Sequence, residues 1–261
     1  MKKILCLFSA LALVLTSCSS DDSSSDTGSA ALLPTKIVET SVENGKSGSV
    51  TYTATYDGNK LKEIKVSDAS RSVFTYTGDL ITKVELYYSS ELQSTDVYAY
   101  ENGKLISKIT TKAFGSGPKQ KLTFVYNANG TVNANQSQID DNGETKFDTT
   151  TLYTFANGNM ISSEIIDGVL REKITSTFDD KKSPFVNVTG LKLLLDLDNN
   201  LEFDFYSANN NVKSVTQTYD NDGVLEQTAT VATTNKYNKS NFLTEAFVGD
   251  ATDSYKIEVT Y

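Results

Sequence analysis

The side chains best suited to bind a cation form an alternating series of oxygen-bearing residues, namely Asp196, Asp198, Asn200, Glu202 and Asp204. Carboxylate and amide oxygens are the ligands that Ca²⁺ prefers. In a calcium loop of the EF-hand type, however, the position of Leu201 would need glycine, and no glutamate follows at the required distance. On an extended strand all five would share one face, so a hydrated strand face is the alternative. The series is therefore a weak calcium candidate.

A second group of carboxylates could support acid–base chemistry on a glycoside, in which two carboxyl groups flank the scissile bond. The candidates fall into the pairs Asp140 and Asp141, Asp179 and Asp180, and Asp220 and Asp222. All lie in predicted turns, where aspartate is favoured because its side chain hydrogen-bonds the turn backbone. We therefore expect no catalytic residue, and a carbohydrate-active enzyme that uses carboxylates remains the main alternative.

The composition excludes several other kinds of chemistry. The chain has 261 residues and contains no histidine and no tryptophan. Without histidine there is no Ser-His-Asp or Cys-His nucleophile and no imidazole metal ligand. The two cysteines, Cys6 and Cys18, both lie near the N-terminus, so no disulfide is expected in the rest of the chain. We also expect no cofactor.

The N-terminus is typical of a bacterial lipoprotein precursor. Lys2 and Lys3 precede an apolar run from Ile4 to Leu15, which is too short for a transmembrane helix of roughly 20 residues. Leu15-Thr16-Ser17-Cys18 resembles the lipobox, in which the cysteine receives diacylglycerol. The sequence thus predicts a signal peptide over residues 1–17 and lipidation of Cys18. An ordinary signal peptide with a chance cysteine is the alternative.

Residues 18–34 are rich in serine and aspartate and predict a disordered tether before a single domain over residues 35–261. Asp21 and Asp22 resemble the acidic signal that some Gram-negative bacteria place after the lipidated cysteine to export lipoproteins to the cell surface. We expect anchoring to the outer membrane through Cys18, on its extracellular face, with the periplasmic face as the alternative. The net charge of −9 and the lack of a basic cluster argue against nucleic acid as a partner. A glycan or an envelope protein is the expected partner.

The rest of the chain repeats one β-hairpin, which is clearest from Val97 to Ile109. Tyr98 and Tyr100 share a strand face, and Asn102-Gly103 supplies the positive φ that a tight turn requires. An aromatic residue precedes each turn at intervals of 20 to 31 residues, at Tyr56, Tyr76, Tyr100, Tyr126, Phe155, Phe178, Tyr206 and Tyr237. Such intervals are typical of repeat architectures, but their irregularity argues against a strict solenoid.

About sixteen strands of roughly five to eight residues, each with one apolar face, predict an all-β antiparallel meander. An open sheet of that length would leave its edges and its apolar face in water, so we expect a flattened or strongly curved barrel. The leucine-rich stretch over residues 190–197 predicts a short helix or a plug, with one more strand as the alternative. The aromatic stripes are expected in the core, which leaves Tyr87 and Tyr206 as a platform for a ligand.

Two resemblances follow from these motifs. The hairpins are similar to YD (RHS-type) repeats, which build shells of stacked hairpins. The lipobox, the acidic tether, the segment Phe178 to Phe185 and the aromatic strand from Tyr255 to Tyr261 resemble a family of bacterial lipoproteins of unknown function with a porin-like antiparallel β fold. The resemblance implies a fold and an envelope location, but no chemistry.

We therefore expect a lipid-anchored, non-catalytic binding or interaction module of the cell envelope. An outer-membrane β-barrel is the second alternative. It is opposed by the short predicted strands, since a membrane-spanning strand needs about 9–11 residues, and by the redundancy of a lipid anchor on such a barrel.

Overall fold

The computed structural model describes residues 31–66, 69–115, 117–195, 207–250 and 252–261. Residues Ala31–Tyr261 form one compact unit. Its strands are β1 (Lys36–Glu43), β2 (Lys46–Asp57), β3 (Lys60–Val66), β4 (Ser70–Thr77), β5 (Leu80–Tyr88), β6 (Glu91–Glu101), β7 (Lys104–Lys112), β8 (Lys119–Tyr126), β9 (Val132–Asp140), β10 (Gly143–Ala156), β11 (Asn159–Asp167), β12 (Val169–Phe178), β13 (Asn211–Tyr219), β14 (Leu225–Ala232), β15 (Thr234–Tyr237), β16 (Leu243–Gly249) and β17 (Ser254–Thr260). None of these described segments forms a helix long and apolar enough to cross a membrane.

The sheet is an antiparallel meander that returns on itself. Each strand from β1 to β13 pairs with the next. β15 pairs with β16, β16 with β17, and β17 with β1. Only Thr233 separates β14 from β15, and the described residues form seventeen strands in all. Within the described strands, no ladder joins β14 to β16, which leaves one unsealed seam. The predicted barrel is thus confirmed as nearly closed.

Several strands are longer than the sequence predicted. β2 has 12 residues, β6 has 11 and β10 has 14. The first five residues of β2 are exposed on both faces, so they lack the apolar alternation from which a strand can be recognised. The predicted length of five to eight residues was therefore too short for these strands, although it holds for others such as β3 and β4. Strand length does not oppose the membrane-barrel alternative.

Three hairpins, β2–β3, β4–β5 and β6–β7, each contain a β-bulge directly after the turn. The extra residue is Lys62 in β3, Thr82 in β5 and Ile106 in β7. A bulge shifts the alternation of faces by one position. For this reason Leu61 and Ile64, which are three positions apart, are both buried. The same spacing recurs in the next two returning strands.

The tyrosines before the second and third of these turns, Tyr76 and Tyr100, each fasten their hairpin to the preceding one. The Tyr76 hydroxyl accepts a hydrogen bond from the backbone N–H of Leu61 and donates to the backbone oxygen of Thr189, both at 3.1 Å. The Tyr100 hydroxyl donates to the backbone oxygen of Ile81 at 2.7 Å. Each such bond contributes on the order of 1 kcal/mol. The tyrosine stripes therefore belong to the core, as expected from the sequence.

These buried tyrosines make the fold sensitive to alkali. Burial raises the pKa of Tyr76 to about 12 and also raises the pKa of Tyr56 and Tyr100 above 10. The folded protein therefore retains protons that the unfolded chain releases above pH 10, so stability falls as the pH rises from 10 to 12. We expect the urea midpoint to fall across this range, and to fall less in Tyr76→Phe. A matched Tyr88→Phe variant removes an exposed hydroxyl. A drop equally steep in Tyr76→Phe would contradict the assignment.

The long connection between β12 and β13 supplies a plug, which we define as residues 183–195. It contains the 3₁₀ helix Leu191–Leu193, which confirms the predicted short helix or plug. Its backbone N–H at Thr189 donates to the carbonyl oxygen of Asn59 at 2.9 Å, and the side chain of Asn187 donates to the carbonyl oxygen of Leu32 at 3.0 Å. We call the end of the barrel that it closes the plug end. The turn after β2 and the start of β1 lie there.

The plug packs on one side of the barrel interior. Leu191 and Leu194 are fully buried and form one cluster with inner residues of β1 to β9 such as Ile81 and Phe124. On the opposite wall, most residues of β13, β15, β16 and β17 are only half-buried, and β14 is exposed along its whole length. The plug therefore leaves unfilled space next to that wall.

Candidate ligand cavity

A cavity of about 280 Å³ occupies this space. We call it the plug cavity. Ser183 and Phe185 of the plug line one side, and the inner faces of β13, β15, β16 and β17 line the other, with Ala246 among them. Thr233, the residue between β14 and β15, also contributes to the lining. The cavity therefore lies between the plug and the inner faces of these strands.

The wall nearest the plug is held by one carboxylate. Asp179 follows β12, and its Oδ1 accepts hydrogen bonds from the backbone N–H groups of Lys181 at 2.9 Å and Asn210 at 3.2 Å. Its Oδ2 accepts a hydrogen bond from the hydroxyl of Tyr237. Burial, together with this bond, raises the pKa of Tyr237 to about 12. Asp179 thus binds both ends of the connection that links β12 to β13. It also ties that connection to β15.

Four asparagines gather around the cavity: Asn209, Asn210, Asn211 and Asn235. The amide nitrogen of Asn211 donates to Ser214 Oγ at 2.8 Å, and that of Asn235 donates to the backbone oxygen of Asn211 at 3.1 Å. The amide oxygens of Asn211 and Asn235 are buried and accept no hydrogen bond from the described residues. Buried polar atoms normally have a partner, so these two oxygens are exceptions within the packed wall rather than groups exposed to the cavity.

The plug cavity is uncharged, unlike its counterpart across the barrel. Of the described residues that line it, none is Asp, Glu, Lys or Arg. A second cavity of about 250 Å³ lies between β7 and β10 and is lined by Lys108, Gln136 and Tyr153. Lys108 is only 8% exposed. It occupies in β7 the inward position that Ile64 occupies in β3.

The sequence missed the plug cavity. The run of asparagines over residues 209–211 is typical of an ordinary turn, but the side-chain amides of Asn209 and Asn210 donate to the backbone oxygen of Lys181. Asn235 offered a clearer signal, because asparagine is depleted in strands and this one lies within β15. Neither signal indicates that the two segments meet, although the Asn235 amide donates directly to the backbone oxygen of Asn211.

The structure places the candidate carboxylates in three separate connections. Asp140 Oδ1 accepts the backbone N–H of Asn142 at 2.8 Å, and Asp220 Oδ1 accepts that of Val224, also at 2.8 Å. Both cap turns at the end opposite the plug, where Asp141 and Asp222 are exposed. Asp179 and Asp180 lie at the plug end. No two of the three pairs therefore lie together in one site.

Of the other predicted site residues, only Tyr87 lies in the described part of the chain. Tyr87 lies on the outer wall beneath the guanidinium of Arg71, 4.5 Å from its ring centroid. The remaining predicted residues lie outside the described part of the chain: Cys18, Asp21, Asp22, Asp196, Asp198, Asn200, Glu202, Asp204 and Tyr206. Among the residues that are described, no group of three or more Asp, Glu, Cys or His side chains is arranged to hold a metal ion.

Comparison with known proteins adds a similarity of fold. No family model and no curated protein matches the chain. The chain is similar to the crystal structure of a porin-like protein from Bacteroides uniformis ATCC 8492, with a TM-score of 0.52 and 11% sequence identity. The alignment covers 87% of this chain and 96% of that one. At this identity the similarity concerns the fold, and it confirms the expected porin-like antiparallel β architecture.

Proposed function

We propose that the chain is a lipid-anchored protein of the cell envelope that binds a small ligand in the plug cavity without converting it chemically. The observation that carries the binding proposal is the uncharged cavity of about 280 Å³ between the plug and the inner faces of β13, β15, β16 and β17. The dispersed, turn-capping carboxylates support a non-catalytic role. The resemblance to the porin-like lipoprotein family also supports an envelope location.

Attachment through lipid rather than through the strands is supported by the outer wall. At one level around the barrel, the paired outward residues are Lys83, Val97, Ile109, Lys121, Ser137 and Lys146. Lys121 also forms an ion pair with Glu144 at 2.8 Å. A barrel wall in lipid needs an apolar band about 25 Å tall, and lysines at this level are costly in it. We therefore favour a hydrated outer wall over the outer-membrane barrel alternative.

The anchor in this proposal is Cys18, with Asp21 and Asp22 directing the protein to the cell surface. A bacterial lipoprotein carries two or three acyl chains, and more than one chain is needed for stable attachment. The first described residues, beginning at Ala31, lie at the plug end, where Asn187 binds Leu32. The tether would accordingly leave the barrel from that end.

One experiment tests both the anchor and the cavity. The full chain is extracted from membranes in mild detergent and analysed by native mass spectrometry. We expect a chain that begins at Cys18, carries diacylglycerol and retains a small non-covalent adduct. Ala246→Leu fills the plug cavity and should lose the adduct but keep the lipid. Its stability should be unchanged or higher, because filling a cavity commonly adds about 0.5–2 kcal/mol.

The matched control is Ala99→Leu, which adds the same atoms to an exposed position on the outer wall and should keep the adduct. A wild-type protein without an adduct overturns the binding proposal, and an unmodified Cys18 overturns the anchor. Protease added to intact cells before extraction reports the side of the membrane. Wild-type protein that resists the protease overturns surface exposure.

A further inference from the structure

We infer that the free edge of β14 binds an extended segment of another protein, which adds a strand to the barrel wall at the seam. Among the described strands, β14 forms a ladder with β13 alone. On its other side, the ladder of β15 with β16 begins only at the pair of Thr234 and Phe247. One edge of β14 therefore has backbone groups that no described strand pairs.

The register of β13 and β14 identifies the backbone groups on this edge. The N–H of Thr233 donates to the carbonyl oxygen of Val212 in β13 at 3.0 Å. In an antiparallel ladder the backbone groups of successive residues point to opposite sides, so those of Thr228, Thr230 and Ala232 point away from β13. The next residue of this series is the one that pairs with β16. Three residues thus offer both an N–H and a carbonyl oxygen to a partner strand.

The edge lacks the features that keep the edge strands of other proteins from pairing. Charged residues, proline and bulges are the usual ones. The sequence from Gln227 to Ala232 contains no charged residue and no proline, and the register shift of this hairpin lies outside it, at Tyr219. Every residue of β14 is exposed. Val231 is 44% exposed although it pairs with Ser214, which lines the plug cavity. β14 is therefore an accessible, uncharged strand that can still pair along one edge.

The charges beside the edge define the partner. Glu226 lies at the start of β14 and Asp222 in the adjoining turn, and both carboxylates are exposed. A segment that runs antiparallel to β14, as β16 does to β15, ends beside these carboxylates. A basic residue at its carboxyl end would lie near negative charge, and opposite charges on paired strands stabilise the pairing. The partner is therefore an extended segment, uncharged and β-branched along the edge, with lysine or arginine at its carboxyl end.

A second copy of this chain fits the edge less well. Two β14 strands that pair antiparallel are related by a two-fold axis through the wall, so the plug ends of the two copies point in opposite directions. With a tether that leaves from the plug end, two such copies would attach to different membranes, an argument that rests on the proposed function. Each copy also has a net charge of −9, which opposes self-association. The partner is therefore a different protein.

The test is hydrogen exchange of the full chain in detergent, resolved at single amides by mass spectrometry. We expect the amides of Thr228, Thr230 and Ala232 to exchange fast, and those of Ala229 and Val231 to be protected by β13. The probe is a blocked hexapeptide that alternates threonine and valine and ends in lysine. Increasing concentrations of it should slow exchange at the three edge amides. Edge amides that still exchange fast at millimolar peptide would overturn the inference.

Three variants make the test specific. Glu226→Lys should weaken binding of the lysine peptide about two- to fivefold and favour a matched peptide that ends in glutamate. Glu91→Lys is the control, because it reverses an exposed charge at the start of β6 and should keep the wild-type preference. Thr230→Pro removes one edge N–H and should abolish the protection of Thr228 by the peptide. Its urea midpoint should stay close to that of the wild type, because proline is tolerated where an edge N–H faces solvent. An unchanged preference in Glu226→Lys would place the peptide elsewhere.

The oligomeric state separates the possible occupants of the edge. Native mass spectrometry of the wild-type chain should show a monomer. Edge amides that are protected without peptide, in a dimer that Thr230→Pro dissociates, would mean that the occupant is a second copy and that the inference is wrong. The same protection in a monomer would mean that the edge is paired within the chain, which also overturns the inference. An unmodified Cys18 in these spectra would overturn the anchor alone, since peptide protection of the edge does not depend on lipid.

Discussion

Replacing Leu194 with alanine is expected to lower the free energy of unfolding by about 3 kcal/mol, within the range measured for leucine-to-alanine changes in protein cores. Leu194 is fully buried in the cluster that the plug forms with β1 to β9. Truncation removes its apolar contacts and leaves a cavity, because the strands on the other side are fixed by their ladders. For a chain of this length the melting temperature should fall by about 6 to 12 °C.

Leu193→Ala is the matched control, since Leu193 is the adjacent residue of the plug and is only half-buried. Its effect should be clearly smaller, and urea titrations of the two variants measure the difference. Equal losses in both variants would mean that the plug is not docked through Leu194. A lower slope of the titration in Leu194→Ala would show that the plug has already separated from the barrel in the folded state.

Replacing Gly190 with alanine should have an effect of similar size for a different reason. Gly190 has a φ of +78°, and a Cβ atom added there would lie 2.6 Å from the backbone oxygen of Asp79. The left-handed conformation alone costs a non-glycine residue about 1–2 kcal/mol. The contact with Asp79 then forces the plug away from the turn after β4. We expect a total loss of at least about 3 kcal/mol, measured by urea titration.

Gly78→Ala separates these two costs. Gly78 has a positive φ of +58°, but a Cβ atom at that position would meet nothing within 4 Å. Its substitution should therefore cost only the conformational part, about 1 kcal/mol. If the Gly78 and Gly190 variants lose the same stability, the close approach to Asp79 does not anchor the plug.

The sequence predicts much of this fold because its hairpins are locally encoded. Asn102 and Gly103 have the positive φ values expected of a tight turn, and the strand between Glu91 and Glu101 has the expected inward tyrosines. The bulges were hidden, because Leu61 and Ile64 are spaced as on a helix rather than on a regular strand. Alternation of apolar and polar residues does not reveal such a change of strand face unless the position of the bulge is already known.

The candidate cavity was much less predictable than the fold. Its walls come from segments far apart in the chain, such as Phe185 in the plug and Ala246 in β16. Its shape depends on how the plug packs, and that is a tertiary property with no local pattern. The leucine-rich stretch indicated that a plug exists, but not that it would fill only one side of the barrel.

The tyrosine bonds between neighbouring hairpins have a consequence for insertions and deletions. Tyr76 and Tyr100 fix the hairpins to one another at the plug end alone, so residues can be added at the opposite tips without disturbing the inward pattern. β10 shows the result, because it runs for 14 residues and its ladder with β9 shifts register between Lys146 and Thr150. The unequal repeat lengths are therefore tolerated variation at one rim. That rim is where new loops could be grafted onto this barrel while its plugged base stays unchanged.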